Sequence, residues 1–497
     1  MNTILRLPAA AVLAAAALPG VAAAQDDTDA RIRALEAQIQ ALSAQISDLK
    51  AATEEAKAQA TAVAAAPPAP APSAAPAPAI KVSLPNGKPT IATSDGRFTA
   101  AFNGVMQLDT AKYFQDDDLA PAITARDLNG GANFRRARLG LSGKVFGDFD
   151  YGILLDFGGS GAEDAGRIQD LWLQYSGIDN FRFRIGAFPP SLGLADAAST
   201  NGSTFPERAA AADIARGLAG ADTRVGAGVI GSGERWFVSA VLTGATVSGL
   251  NSAGGFNSAT FDEQQGYALR LAGTPLRGED WLIHAGANAS VIAQPADRGT
   301  ATTPRYAVQL RERPELRVDG TRLVDTGAID ADGAAALGLE LAFQRNNILV
   351  QTEYFDFTID RRNPAAGLSD PEFSGWYVDG AWVLTGERRK YNTNTAAFDA
   401  PPVAKPFDLA AGTWGAWELA ARYSVVDLDS NPDSAVVANR IRGGEQTVTS
   451  LGLNWFPNPT VKFMLGVQDV SVERRNAAGA SLDQDFQTVN LRSQFAF

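Results

Sequence analysis

The feature that most constrains this chain is a period-two alternation of apolar and polar residues, repeated run after run. In the last run Val489, Leu491, Ser493, Phe495 and Phe497 fall on one side of an extended chain, and Thr488, Asn490, Arg492, Gln494 and Ala496 on the other. Upstream, Leu451, Leu453 and Trp455 alternate with Gly452 and Asn454, and Val461, Phe463, Leu465 and Val467 with Lys462, Gly466 and Gln468. Breaks carrying Pro457, Asn458 and Pro459, or Asn476 and Gly479, separate these runs. Strand side chains point alternately to opposite faces, so each run reads as a strand with one apolar and one polar face. A soluble sandwich alternates too. Recurrence along the chain, behind a secretion signal, points instead to an antiparallel transmembrane β-barrel.

The pattern predicts strands near 98–110, 134–146, 149–157, 168–176, 181–188, 223–231, 235–246, 265–274, 281–290, 335–345, 348–357, 375–385, 414–426, 446–456, 460–470 and 486–497. That makes an all-β, 16-stranded barrel over 81–497, an even count as single-chain bacterial barrels have. A strand near 305–313 would alter the count. The connections 111–133, 189–222, 291–334 and 386–413 are too long for hairpins. Such barrels have short periplasmic turns and longer external loops, and a long loop can fold inward to narrow the pore.

Ahead of the barrel, residues 1–24 read as a signal peptide: Arg6, an apolar core from Ala9 to Leu18, and Ala22-Ala23-Ala24 before Gln25. Residues 25–60 carry a heptad, with Ile32, Ile39 and Ile46 at one position and Leu35, Leu42 and Leu49 three residues later, behind Asp26, Asp27 and Asp29. Ile at a with Leu at d favours a two-stranded coiled coil, whereas tethering to an oligomeric barrel would dictate a trimer. A helix lying on the barrel's own surface is the alternative. Residues 61–80 are a linker of Ala and Pro, a semi-rigid extended spacer.

Composition removes several function classes. No cysteine means no disulfide, thiolate metal site or cysteine nucleophile, and a single histidine, His284, argues against a histidine-rich metal or catalytic centre. A net charge of -12 argues against nucleic acid as a partner. No apolar run of 18 residues follows the N-terminus, so helical spans are not available. The pattern implies no enzyme, cofactor or metal.

If the apolar face meets lipid, parity assigns the lumen. With Ala137, Leu139, Leu141 and Val145 outside, Arg136, Arg138, Ser142 and Lys144 are inside; with Phe181, Phe183 and Ile185 outside, Arg182 and Arg184 are inside. The same reading places Arg224, Arg270, Arg422, Lys462 and Arg492 in the lumen, with the acids Asp156, Asp170, Glu340, Glu353, Asp379 and Glu418. Arginine stays charged and presents several donors to an oxyanion, so a ladder of arginines would make a path for small anions. Alternatively the arginines pair with those acids and rigidify the wall, and parity cannot separate the two.

Several stretches together resemble the phosphate-selective porin O and P family over about 98–497. They are Phe134-Arg135-Arg136-Ala137-Arg138-Leu139 through Gly147-Asp148-Phe149-Asp150-Tyr151, and Leu384-Thr385-Gly386-Glu387-Arg388-Arg389-Lys390-Tyr391. Ala416-Trp417-Glu418-Leu419-Ala420-Ala421-Arg422-Tyr423-Ser424 and Leu451-Gly452-Leu453-Asn454-Trp455-Phe456-Pro457-Asn458 complete the set. The resemblance implies an outer-membrane porin, a homotrimer among lipid and lipopolysaccharide, with arginines along the path and a lysine cluster selecting phosphate or polyphosphate. After Gly186-Ala187-Phe188 the chain departs from the pattern. It reads Pro189-Pro190-Ser191-Leu192-Gly193-Leu194, and the stretch to Gly220, the expected constriction loop, carries Glu207, Arg208, Asp213 and Arg216 but no lysine. A general or other-solute porin, its coiled coil a periplasmic tether contacting the cell wall, is the second reading. Asp427, Asp429, Asn431 and Asp433 alternate like calcium ligands, but Pro432 and Ala438 break that motif, which reads as a solvated loop, as does Asp116-Asp117-Asp118.

Overall fold

The computed structural model describes residues 37, 40–55, 57–58, 79–115, 126–159, 166–200, 202–219, 223–247 and 264–497. The signal peptide, nearly all of the Ala/Pro linker, Asp116-Asp117-Asp118 and the first heptad positions, Ile32, Leu35 and Ile39, lie outside them. Residues up to 77 and from 78 onward form separate units. In the first, 40–55 are helical, and Leu42, Ile46 and Leu49 stand 56%, 54% and 67% exposed.

The second unit is a closed antiparallel barrel of sixteen strands. They are β1 (Thr99–Phe114), β2 (Gly131–Val145), β3 (Phe149–Asp156), β4 (Arg167–Ile178), β5 (Phe181–Phe188), β6 (Arg224–Ser232), β7 (Trp236–Thr246) and β8 (Gln265–Arg277). The second half is β9 (Trp281–Gln294), β10 (Ile329–Arg345), β11 (Ile348–Arg361), β12 (Glu372–Val383), β13 (Ala416–Ser430), β14 (Ile441–Asn458), β15 (Val461–Glu473) and β16 (Gln484–Ala496). Strand β16 pairs with β1 from Gln487↔Phe114 to Ala496↔Val105, which closes the sheet and leaves no edge among them. Each strand expected from the alternation is present. The candidate near 305–313 is only the two-residue pieces Ala307–Val308 and Arg311–Glu312, outside the wall.

Burial follows the alternation. On β10 Leu337, Leu339, Leu341 and Phe343 are exposed while Ala336, Glu340 and Ala342 are buried. Connections at one end are tight, two or three residues at 146–148, 179–180, 233–235, 278–280, 346–347 and 459–460. Asn180 and Asn346 occupy the left-handed region there (φ 66 and 49), which asparagine tolerates better than branched residues. Strand order puts 384–415, between β12 and β13, at this same short-turn end. Long connections are therefore not confined to the opposite end.

Three connections fold into the lumen. The first, 189–223, holds helices α1 (Leu194–Ala197) and α2 (Ala210–Ala219). It leaves the wall between β5 and β6 and reaches the far side. Lys462 Nζ donates to Ser203 O (2.5 Å), Asn454 Nδ2 to Thr204 O (2.9 Å) and Arg422 Nη1 to Glu207 O (2.9 Å). The second, 295–328, lies against α2; Glu315 Oε1 accepts from Ala210 N (3.0 Å) at the start of that helix. The third, 384–415, enters from the short-turn end, where Ala397 and Phe398 pack with Leu194 and Ala197 of the first.

The alanine-rich face of α2 explains how a helix fits inside a barrel. Ala210, Ala211, Ala212, Ala215 and Ala219 are buried with Ile214 and Leu218, while Asp213 and Arg216 lie on its polar side. A Cβ on Gly375 of β12 would lie 2.6 Å from Ala211 Cβ, so the contact needs both small residues. Inward-facing Phe355, Phe357, Ile359, Phe373, Tyr377, Val426 and Phe486 join α2 and Leu310, Leu316 and Leu323 in one apolar cluster. This part of the lumen is thus a packed core rather than a water channel. Phe357→Ala should cost about 3–5 kcal/mol by opening a cavity in it, read as a lower urea midpoint for the barrel in detergent; an unchanged midpoint would show that this core adds no stability.

Candidate functional site

The space that the packed loops leave open is lined by arginine. A vestibule of about 310 Å³ is lined by Arg216, Arg298, Arg311, Arg313, Arg317 and Arg322, with Asp213 and Glu312. It shares Asp213, Arg216 and Arg317 with a cavity of about 220 Å³ between β2, β4 and the first loop. Seven guanidinium groups line that cavity, those of Arg135, Arg136, Arg138, Arg167, Arg208, Arg216 and Arg317, against the carboxylates of Asp170, Asp196 and Asp213. At the expected constriction loop a smaller space of about 40 Å³, sharing Arg136 and Arg208 with that cavity, is lined by Arg136, Glu207, Arg208, Asp379, Arg389 and Arg422. Among the lining residues arginines outnumber carboxylates in all three. In the vestibule, burial and then the neighbouring Arg317 charge push Arg313 down to about 10, and burial and then Arg311 lower Arg322.

The arginines expected in the lumen divide into two sets. One set is neutralised by carboxylates. Arg270 meets Glu340 (2.7 Å), Arg422 meets Asp379 (2.7 Å) and Glu315 (3.0 Å), Arg492 meets Asp109 and Glu207, and Arg138 meets Asp156 (2.8 Å). Lys144 pairs with Asp150 (2.7 Å) near the short-turn end. Several of these also hold a loop: Arg270 donates to Thr395 O (2.6 Å) and Ala396 O (2.8 Å), and Arg492 to Pro206 O. These are braces.

The remaining residues make hydrogen bonds to neutral groups, and Arg136 lies 3.9 Å from the Glu207 carboxylate as well. Arg136 Nη1 donates to Gln107 Oε1 (2.6 Å), and Arg182 to Ser232 Oγ (3.0 Å) and Asn394 O (3.3 Å). Arg184 donates to Gln174 Oε1 (2.8 Å) and lies 4.1 Å over the Trp172 ring. Arg224 donates to Gly244 O (3.1 Å). Lys462 is bound to Ser203 O and sits beside Phe456. Of the acids, Glu353 accepts from the Leu194 and Ala195 amides (2.7 and 3.0 Å), and Glu418 pairs with Arg389 (2.6 Å).

The expected constriction loop supplies its residues as a network. Arg216 binds Asp196 (2.6 Å), Arg208 lies 3.2 Å from Asp196 and 3.7 Å from Asp213, and Arg317 of the second loop meets Asp213. Glu207 is held by Arg135 (2.8 and 3.0 Å) and Arg492 (2.8 Å), with Arg317 at 3.4 Å and Arg136 at 3.9 Å. The surrounding guanidinium groups hold the Glu207 and Asp213 carboxyls well below the usual carboxylate range, against the opposing effect of burial. Glu315 adopts a left-handed backbone (φ 57) that its contacts with Ala210, Arg422 and Ser424 hold in place.

Arg135 is the residue that strict alternation misplaces. Parity puts it outside, yet it is 5% exposed and faces Glu207. Pairing passes from Gln107↔Arg136 to Leu108↔Phe134, so Arg135 is the extra residue of a β-bulge and turns inward beside Arg136. Arg317 and Arg389, both from inward loops, carry no periodic signal at all. His284 is fully buried, with Nδ1 2.8 Å from Tyr391 Oη and Nε2 3.1 Å from Glu340 Oε2, so it braces the third loop. Asp429 accepts from Gly444 N (2.7 Å) and Asp433 pairs with Arg475 (2.9 Å), which engages two carboxylates of the calcium-like loop within the chain.

A closed sixteen-stranded barrel with an apolar exterior and loops folded into its lumen defines an outer-membrane porin of a Gram-negative bacterium. The chain belongs to the phosphate-selective porin O and P family, whose model matches residues 110–497. It is 27% identical over 425 residues to Porin O of Pseudomonas aeruginosa, covering 82% of this chain and 90% of that protein. It is 28% identical over 421 residues to an uncharacterized protein of Caulobacter vibrioides, covering 80% and 76%. Among solved structures, the anion-selective porin from Comamonas acidovorans aligns at a TM-score of 0.45 with 11% identity, covering 80% of this chain and all (100%) of that one. The outer membrane channel DcaP of Acinetobacter baumannii aligns at 0.46 with 11% identity, covering 82% and 99%.

Arg422→Ala should destabilise the barrel by about 3–5 kcal/mol, since it strands the buried Asp379 and Glu315; a thermal midpoint in detergent within error of wild type would contradict the bracing role. The depressed Glu207 and Asp213 carboxyls give a pH dependence with a defined sign. Their stabilisation is complete above the unfolded carboxylate value of about 4.3 and is lost as pH falls toward the lower folded values. Protection of the 189–223 loop from an acid-active protease should therefore decline below about pH 4, and a flat profile would refute it.

Proposed function

We propose that the protein is a passive diffusion channel for small anions, with phosphate and polyphosphate as candidate solutes. The observation that supports this most is the seven-guanidinium cavity, where Arg136, Arg138 and Arg167 on the wall face Arg208 and Arg216 on the loop. Guanidinium groups cannot be deprotonated at physiological pH, and their forks match carboxylate and phosphate oxygens. The loop's lack of lysine makes the path one of fixed arginine forks rather than mobile ammonium groups. Arg182 and Arg184 continue the positive lining along β5. Membership of a family described as phosphate-selective favours the same solute class. In this reading the barrel works as a homotrimer among outer-membrane lipid and lipopolysaccharide.

The zero-current potential of the purified protein in a planar bilayer under a KCl gradient tests the proposal. Anion preference that falls at least severalfold in a variant with Arg136, Arg182 and Arg184 changed to Ala is the expected result. Equal selectivity in the two proteins would sink it.

A second reading concerns the first unit. Leu42, Ile46 and Leu49 form an apolar stripe left exposed in the single chain, as a coiled-coil seam awaiting a partner would be. Together with the Ala/Pro spacer it would tether the outer membrane to the periplasm. Deleting residues 26–79 should leave conductance intact and weaken the envelope, scored as detergent sensitivity of the cells; an unaltered envelope would reject the tether.

A further inference from the structure

Glu207 sits where a dissolved anion would gain most. Its carboxylate is fixed by two guanidinium groups, with a third at 3.4 Å and a fourth at 3.9 Å. Arg492 is shared with Asp109, and Arg317 with Asp213 and Glu312. Among the described residues Arg135 has no such second acid: both of its hydrogen bonds go to Glu207, through a bidentate fork. That fork would grip two oxygens of a phosphate or a carboxylate in the same way. The bulge in β2 is spent on turning Arg135 into this position.

The carboxylate is delivered by a fixed backbone, because Arg492 holds Pro206 O and Arg422 holds Glu207 O. The cage also adjoins the conducting space. Arg135, Arg136 and Arg317 line the 220 Å³ cavity, and Arg136 and Glu207 line the smaller space at the constriction loop.

We propose that Glu207 is a tethered anion that fills the strongest oxyanion site of the lumen, so that mobile anions meet only the weaker flanking guanidinium groups. The inference rests on the anion-path reading above. Its physical sense is that conduction needs sites favourable enough to enter and weak enough to leave. An empty bidentate site in a low-dielectric wall would hold an oxyanion too long. A carboxylate on the loop neutralises the cage without entering the flux.

The test uses the full-length protein in planar bilayers, with KCl current titrated by inorganic phosphate. In Glu207→Gln the cage loses its fixed negative charge, and block should appear at phosphate concentrations about tenfold or more below those for wild type. The double variant Arg135→Gln with Glu207→Gln removes the fork as well and should return the titration toward wild type. Identical phosphate block in wild type and Glu207→Gln overturns the inference. So does an equal shift in single and double variants, which would trace the change to a collapsed loop. If Glu207→Gln yields no conducting barrel, Arg135→Gln alone carries the test. It should lower anion preference by uncovering the carboxylate, and unchanged preference overturns the proposal. The anion-path reading fails separately, through a wild-type zero-current potential showing no anion preference.

Discussion

Closure of β16 onto β1 is the constraint from which the rest follows. In hydrocarbon every backbone amide and carbonyl of the wall needs a partner within the chain, and a sheet meets that demand only by having no edge. Once closed, its two faces see different solvents, and the alternation becomes an inside and an outside. Everything polar on the strands must then be handled in one narrow lumen. Carboxylates and guanidinium groups there are packed too densely to stay independent, so most of them pair.

Pairing divides the lumen's charge by role. Arg270, Arg422 and Arg492 lie almost fully buried against acids and also donate to loop carbonyls, so they spend their charge on holding inward segments. Arg182 and Arg184 lean on an amide, a hydroxyl, a carbonyl and an aromatic ring, and Arg136 on an amide with the Glu207 carboxylate 3.9 Å away. The apolar cluster around α2 has a complementary effect. By packing against β10 to β16, it leaves the arginine-lined cavity at β2 and β4 open.

The same logic makes loop and wall one device. The first loop meets the third near Phe398 and the second near Glu315, and each contact is anchored to a strand by an arginine or a buried glutamate. A local change in any of the three segments therefore reaches the constriction through the groups that hold it. Glu207 stands at this junction, bound by two strands directly and approached by the second loop.

Sequence alone determined the strand number and the approximate ends of all sixteen strands. A period of two has only two phases, and the apolar phase must face lipid. Counting strands would also have placed 384–415 at the short-turn end, a step that needs no coordinates. Only tertiary structure decided which arginines are cancelled, because the partners come from segments hundreds of residues apart, as with Arg492 and Glu207. It also decided the inward turn of Arg135, since a bulge shifts parity without a mark in composition. Inward-facing Phe355, Phe357 and Phe373 had no reading in a polar lumen until the loops that cover them were in place. Alternation is a property of each strand by itself, whereas the path is a property of what the loops put between the strands.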